Sequence, residues 1–235
     1  MSQSTPDSIH KEFELERMIL FSDAVFAIAI TILIIEIKFP ELPENYKKSL
    51  DLFQMFKPTL IQFLGFFFTF FFIGMSWAGH LKLFRYLKAY DNSVIFLNLL
   101  SLMFIITFPF SASGLTHSRP SFMFPLIIYF GNVSLMYFAN FLLARYIFNR
   151  NPSLSIPGHD AEKTYIYKQT QGSFIAVGLG FVILLSTALL SDFNNHYMNN
   201  SLYPFIAMII YRKNWLKKYK PAKTKKRVEP VEQAG

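Results

Sequence analysis

The segment ERMILFSDAVFAIAITILIIEIKFP, residues Glu16–Pro40, decides the fold of this chain. Between residues 18 and 37 its side chains are apolar with four exceptions, Ser22, Asp23, Thr31 and Glu36, and it contains neither Gly nor Pro. A helix needs about 20 mainly apolar residues to cross the hydrocarbon core of a bilayer. The segment therefore predicts a transmembrane helix.

The composition of the whole chain indicates a membrane protein. Of its 235 residues, 52% are hydrophobic and 16% are charged, and 28 are Phe, which is too much apolar surface for a soluble domain of this size. The absence of Cys excludes a disulfide framework and a thiolate site. The first fifteen residues are polar and mixed in charge, which does not match a cleavable signal peptide.

Five further apolar stretches follow the first one, so we predict an all-α, polytopic fold with six transmembrane helices. The later spans are about Pro58–Gly79, Ser93–Ser113, Ser121–Phe148, Thr170–Leu190 and Met198–Trp215. This divides the chain into an N-terminal tail (1–15), a six-helix membrane domain (16–216) and a basic C-terminal tail (217–235). Pro109 and Pro125 are expected at helix ends or kinks.

The placement of the basic residues tests this topology. With six spans and a cytoplasmic N-terminus, five of the 23 Lys and Arg residues lie on the outer side: Lys38, Lys47, Lys48, Lys57 and Arg119. The positive-inside rule favours this arrangement, in which both termini are cytoplasmic. The basic C-terminal tail is expected to fix the topology and to contact anionic lipid rather than nucleic acid.

Several polar residues lie within the predicted spans, where they need partners. An ionised carboxylate such as that of Asp23 costs at least about 2–3 kcal/mol inside a span unless it is paired. The spacing of Trp77 and His80 places both at the end of the second span, at a depth similar to that of Asn98 in the third. A buried network of these residues with Ser22 and Asp23 would satisfy each of them.

A second pattern in the first span is an aliphatic stripe. At 100° per residue, one side of the helix carries Ala24, Ile28, Thr31, Ile32 and Ile35, and Asp23 points well away from it. From the pattern alone, such a stripe is most simply a surface for lipid contact or helix packing.

In the fifth span, small residues recur at every fourth position, a pattern suited to close helix packing: Gly172, Ala176 and Gly180.

Three parts of the chain resemble the transmembrane protein 175 family of potassium channels. Arg17, Phe21, Ser22 and Asp23 match the RxxxFSD motif of its first helix. The segment WAGHLKLF, residues 77–84, and the segment YDNSVIFLNLLSLMFIITFPF, residues 90–110, resemble its second and third helices. The length of the chain is similar to that of a prokaryotic member with one six-helix repeat.

The resemblance implies a homotetrameric, potassium-preferring cation channel whose first helices line the pore. It implies a constriction of aliphatic rings in place of a carbonyl filter, with Ile28 as the narrowest ring and Thr31 and Ile35 as the next. Ala24 and Ile32 would line the pore less closely. Six polar residues would hold the first three helices together: Arg17, Ser22, Asp23, Trp77, His80 and Asn98. The membrane would be the inner membrane of a prokaryotic cell.

The sequence contains little evidence for other functions. No nucleophile–base arrangement, phosphate-binding loop or metal-ligand spacing is present, so we expect no enzyme activity, cofactor or tight metal site. Two alternatives remain open beside a potassium channel. One is a proton-permeable channel or proton-coupled transporter that uses Asp23 and His80. The other is a membrane scaffold that transports nothing.

Overall fold

The structure, a computed structural model, describes residues 6–40, 52–117, 124–190 and 203–219. These residues form seven α-helices, which are α1 (Pro6–Ile35), α2 (Leu52–Phe84), α3 (Asn92–Ile106), α4 (Phe108–His117), α5 (Phe124–Arg145), α6 (Asp160–Leu190) and α7 (Tyr203–Tyr219). A π-helical turn (Tyr146–Arg150) and a 3₁₀ turn (Pro152–Leu154) follow α5. This described part of the chain contains no β-strand, and its one isolated bridge joins Leu87 to Ser155.

Five helical stretches are long and apolar enough to cross a membrane, and they correspond to the first five predicted spans. They are Glu12–Ile35, Met55–Phe84, Asn92–Leu115, Phe124–Arg150 and Asp160–Leu189. Large apolar side chains remain exposed on their outer surfaces, as on Phe71, Phe96 and Phe110. Exposed apolar surface on this scale fits lipid contact and not contact with water. The protein is therefore an integral membrane protein, and the predicted all-α fold is confirmed.

The helix ends differ from the predicted ones because charged residues can continue a helix beyond the apolar region. Helix α1 begins at Pro6, so residues 6–15, which the sequence assigned to a tail, belong to it. Helix α6 begins at Asp160, one residue after His159, rather than near Thr170. Asp160 and Glu162 lie in the first turn of α6, where the helix dipole favours negative charge.

The third predicted span is divided between two helices. Helix α3 ends at Ile106 and α4 begins at Phe108, with Thr107 between them. Pro109 is the second residue of α4, where its missing N–H leaves no partner unsatisfied, as expected for a proline at a helix start. The Thr107 hydroxyl donates to the Asn132 side-chain oxygen at 2.9 Å, which fixes the junction against α5.

The sixth predicted span corresponds to α7, which has 17 described residues. Residues 198–202 of that prediction lie outside the described residues. Helix α7 packs closely on α6, because Gly172 leaves room for the indole of Trp215: a Cβ atom at Gly172 would lie 2.3 Å from Trp215 Cδ1. The Trp215 Nε1 also donates to the carbonyl of Lys168 at 2.8 Å. The small residues of this face of α6 thus allow close packing, as predicted.

Helix α1 lies against α2 and α3, and its buried face contributes to the main apolar core. Phe26, Ala29 and Leu33 of α1 pack there with side chains from α2 and α3 such as Ile73 and Ile105. Each of the three is at most 3% exposed. This packing sets which face of α1 is left outside the subunit.

Candidate functional site

Helix α1 has one buried face and one exposed face. Ser22, Phe26, Ala29 and Leu33 recur at helical spacing and are buried in the subunit. The aliphatic stripe lies on the outer side, where Ile28 is 56% exposed, Ile32 is 40% exposed and Ile35 is 73% exposed. Ala24 and Thr31 of the stripe are exposed as well. The whole stripe is therefore available to a neighbouring subunit, to lipid or to a pore.

Thr31 is the polar member of the stripe, and its hydroxyl is partly occupied. Thr31 Oγ1 donates to the carbonyl of Ile28 at 2.9 Å, within the same helix. The donated hydrogen turns the oxygen lone pairs away from the helix backbone. The aliphatic stripe thus carries one hydroxyl oxygen that can still accept a hydrogen bond or contact a cation.

A chain of buried hydrogen bonds joins the first three helices. His80 Nε2 on α2 lies 2.9 Å from Asn98 Oδ1 on α3. The Asn98 Nδ2 donates to Ser22 Oγ on α1 at 2.9 Å, and Ser22 Oγ donates to the Met18 carbonyl at 2.9 Å. All three side chains are at most 2% exposed. The structure therefore brings together Ser22, His80 and Asn98 of the predicted polar residues.

Asp23 and Trp77 form a separate pair. The Trp77 Nε1 donates to Asp23 Oδ1 at 2.8 Å, which links α1 to α2 near the surface of the subunit. Asp23 is half-buried and Trp77 is 39% exposed. The carboxylate does not share a hydrogen bond with His80 within the described residues. The five side chains predicted as one network thus form two units.

Arg17 lies outside both units. Its side chain is exposed, and its guanidinium carbon lies 6.0 Å from the centre of the Phe13 ring, one turn earlier on α1. It makes no hydrogen bond to the other five predicted polar residues in the part of the chain that the structure describes. An exposed guanidinium at this end of the helix is free to reach the membrane interface.

His80 is packed between aromatic rings. Its imidazole stacks on Phe84 with 4.1 Å between ring centres and is tilted against Phe26 at 5.5 Å. Its Nδ1 is buried and has no hydrogen-bond partner among the described residues. The predicted network therefore leaves Nδ1 of His80 without a partner among the described side chains, because the rings on its faces offer no acceptor or donor in the ring plane.

Sequence reasoning missed two groups of polar residues that fix the helices. Asp91 caps α3 by accepting from the Val94 N–H at 2.9 Å and also accepts from the Tyr146 hydroxyl at 2.6 Å. Asn140 on α5 accepts from Ser101 at 3.1 Å. For Ser101 and Asn140, the available signal was a polar side chain inside an apolar span, which needs a partner just as Asn98 does. For Asp91, it was an Asp directly before an apolar helix, a preferred N-cap residue.

The described residues contain no group of three or more His, Asp or Glu side chains that could hold a metal ion. The titratable groups near α1 are instead single residues in separate contacts. The chemistry that this surface offers is therefore physical: an exposed aliphatic stripe with one hydroxyl, held in place by polar contacts on the opposite face.

Comparison with known proteins gives a consistent set of relatives. Residues 17–109 match the family model described as "Endosomal/lysosomal potassium channel TMEM175". A potassium channel from Chryseobacterium sp. (strain P1-3) is 31% identical over 103 residues, which are 44% of this chain and 50% of the relative. A potassium channel from Streptomyces collinus is 35% identical over 102 residues, 42% of this chain and 46% of the relative. The matches thus cover about half the length of these relatives.

A human relative, named as an endosomal/lysosomal proton channel, is 30% identical over 105 residues, which are 41% of this chain and 20% of the relative. The fold is similar to the crystal structure of a lysosomal potassium-selective channel TMEM175 homolog from Chamaesiphon minutus. The TM-score is 0.66 at 20% identity, and the alignment covers 88% of this chain and 99% of that one. The matched residues 17–109 contain α1 from residue 17 onward, α2, α3 and the start of α4, and so include both the stripe and the polar contacts behind it.

Proposed function

Because residues 17–109 carry the TMEM175 family signature on a fold shared with a TMEM175 homolog, we propose that the chain is a potassium-preferring cation channel. Four copies associate around a central axis, and α1 of each copy lines the pore. The constriction is the ring of Ile28 side chains, followed by Thr31 and Ile35, with Ala24 and Ile32 at the edges of the lining. The conducted ion passes without a resident metal or cofactor.

The observation that carries the proposal is the division of α1 into two faces. The positions that match the family's pore residues belong to the exposed face, and the subunit's own core takes up the other face. Exposure alone would also fit lipid contact, as for the exposed Phe residues of α2. Among the described side chains, the stripe of α1 differs from the Phe-rich surface of α2 in carrying an exposed hydroxyl, that of Thr31.

An isoleucine constriction acts differently from a carbonyl filter. Four isoleucines offer no oxygen atom that could replace the hydration shell of an ion, so the ion meets a desolvation barrier there. Hydrophobic constrictions in channels gate by dewetting. Potassium holds its water less tightly than sodium and therefore crosses such a barrier more readily. The Thr31 hydroxyl oxygen supports a partly hydrated ion beyond the ring.

The contacts on the far side of α1 have a positioning role in this proposal. A ring of four side chains works only if each subunit holds its helix at a fixed rotation and depth. Ser22 bonded to Asn98 fixes the rotation toward α3, and Asp23 bonded to Trp77 fixes it toward α2. Both termini are placed in the cytoplasm of a prokaryotic cell, in accordance with the distribution of basic residues.

Proton conduction is the second candidate, and the names of the animal relatives favour it. Proton conduction through side chains would need a continuous hydrogen-bonded path between titratable groups. Asp23 and His80 belong to separate hydrogen-bonded units, which supports potassium conduction with structural roles for both residues. Proton flux through water in the pore would not use either group directly.

Purified protein in liposomes under a potassium gradient distinguishes these functions. We expect potassium flux that is slower with sodium, and we expect Ile28→Asn to reduce this difference. Ile34→Asn is the matched control, since Ile34 is an exposed isoleucine of α1 outside the stripe. A proton current that persists without potassium and is lost in Asp23→Asn would favour the second candidate. If neither ion crosses the liposome membrane while a control channel in the same assay is active, the result would favour the scaffold alternative.

A further inference from the structure

A cavity lined by both apolar and polar side chains lies behind the helices that hold α1. Its volume is about 60 Å³, and residues of α2, α5, α6 and α7 line it. Six of its lining residues carry the argument: Ser76, His80, Asn140, Gln169, Ser173 and Arg212. By the space that one water needs, it has room for roughly four water-sized positions, or for one small tetrahedral anion.

The charge of the cavity is one-sided. Arg212 and Lys82 line it, and among the described residues no Asp or Glu does. Arg212 is half-buried, and no acidic residue of the described chain forms an ion pair with it. Its Nε is buried without a hydrogen-bond partner in the same part of the chain. A partly buried guanidinium without an acidic partner is stabilised by an opposite charge or by strong acceptors, so the cavity favours an anion.

The hydrogen-bond pattern at His80 specifies the anion further. Asn98 uses its amide nitrogen to donate to Ser22, so Asn98 Oδ1 faces His80 as an acceptor. His80 Nε2 must then be the protonated nitrogen, which leaves Nδ1 of the neutral ring as an acceptor. Nδ1 has no partner among the described residues, and the residue lines the cavity. An occupant that reaches both groups would offer a hydrogen to His80 Nδ1 and accept one from Arg212.

We propose that this cavity binds a protonated phosphate oxyanion, either free phosphate or the phosphomonoester headgroup of a lipid. The P–OH group donates to His80 Nδ1, and the charged oxygens accept from Arg212, a pairing that guanidinium geometry favours. The hydroxyls of Ser76 and Ser173 supply further donors. A phosphodiester lipid and sulfate at neutral pH both lack the hydrogen that His80 requires.

The site is connected to the pore-lining helix. His80 contacts the occupant with one ring nitrogen and Asn98 with the other, and Asn98 in turn holds Ser22 of α1. Binding of phosphate would therefore stabilise the arrangement that fixes α1. The site does not depend on potassium conduction, so a binding test and a flux test can fail separately.

The test is thermal unfolding of the detergent-purified full chain, followed by tryptophan fluorescence, with inorganic phosphate added at constant ionic strength. We expect the unfolding midpoint to rise with the logarithm of phosphate concentration and to rise less with sulfate. Arg212→Gln should abolish the phosphate effect. Lys213→Gln is the matched control, because it removes the same charge from the next residue of α7, which does not line the cavity.

If Arg212→Gln does not fold, Arg212→Lys replaces it, since lysine keeps the charge but lacks the buried Nε donor and should weaken the phosphate effect. A shift of equal size in wild type and the Arg212 variant would overturn the site, and equal effects of sulfate and phosphate would overturn the role of His80.

Vesicles of phosphatidic acid and of phosphatidylglycerol identify the source of the bound phosphate group. Stabilisation by phosphatidic acid beyond that by free phosphate indicates a lipid headgroup, and stabilisation by free phosphate alone indicates a soluble ligand. Stabilisation by neither contradicts the proposal.

Discussion

The indole nitrogen of Trp77 donates a hydrogen bond to the carboxylate of Asp23 at 2.8 Å, so the acidic residue of the first span is held by its own subunit. Asp23 therefore points along α2, and the aliphatic side of α1 faces outward. Asp23, the charged residue within the apolar part of α1, thus holds the helix in place, and the isoleucines of the stripe form its exposed surface.

Removing the Trp77 donor should loosen α1 from α2. We expect Trp77→Phe to lower the free energy of unfolding by about 1 kcal/mol, the scale of side-chain hydrogen bonds between membrane helices. Asp23→Asn should cost less, because the amide oxygen can still accept from Trp77. Thermal unfolding in detergent measures both. Met75→Leu on the exposed side of α2 is the control, and equal losses for Trp77→Phe and this control would contradict the role of the bond.

Asn98 connects α1 to α2 through α3, so its loss should cost more. Asn98→Leu removes the donor to Ser22 Oγ and leaves His80 Nε2 without its partner, and we expect a loss of about 1–3 kcal/mol in the free energy of unfolding. The adjacent Leu99 is 47% exposed, and Leu99→Ala serves as the control in the same unfolding assay. An unfolding midpoint unchanged in Asn98→Leu would show that the three helices are held by apolar packing alone.

The contact between α6 and α7 depends on the absence of a side chain at Gly172. An added Cβ would meet Trp215 at 2.3 Å, so Gly172→Ala should push α7 away and destabilise the protein by about 1–3 kcal/mol. Gly178→Ala is the matched control on the same helix, since nothing lies within 4 Å of its added Cβ. Unfolding followed by the fluorescence of Trp215 reports the change. Equal behaviour of the two variants would contradict the close approach.

The cap of α3 should make stability depend on pH. Burial raises the pKa of Asp91, but hydrogen bonds from the Tyr146 hydroxyl and from the Val94 and Ser93 N–H groups outweigh it and hold the pKa below its usual value. A carboxylate whose pKa is lower in the folded state stabilises the protein above its unfolded pKa, and this contribution is lost as pH falls through the folded pKa.

Wild type should therefore exceed Asp91→Asn in stability at neutral pH, and the difference should shrink as the solution is acidified below the normal pKa of an aspartate. Unfolding midpoints measured for both proteins across that range provide the check. A difference that stays constant with pH would show that the charge of Asp91 contributes nothing to the cap.

Much of this architecture could be predicted from the sequence. The apolar length of Glu16–Pro40 and of the later spans identifies the first five membrane helices, because the thickness of a bilayer fixes the length of apolar chain needed. The partners of Ser22 and Asn98 could also be anticipated, since an apolar medium requires every polar side chain to find one.

Other features could not be predicted because they depend on three-dimensional packing. Pro109 indicates a break near this point, but the hydrogen bond that fixes the junction joins Thr107 to Asn132, 25 residues later in the chain. The predicted polar network separates into two units, and the imidazole of His80 packs against Phe26 and Phe84, whose rings come from different helices. The cavity beside Arg212 needs four helices to form, so no single stretch of sequence indicates it.

The central claim is that Ile28 of four subunits forms the constriction of a potassium-preferring pore, and the reversal potential under a potassium–sodium gradient tests it most directly. In planar bilayers, the currents of wild type and Ile34→Asn should reverse near the potassium equilibrium potential. Ile28→Asn should shift the reversal potential toward zero, because four Asn side chains around the pore axis would remove the dry barrier that separates the two ions. A reversal potential that is the same for wild type and for every Ile28 substitution would contradict the account.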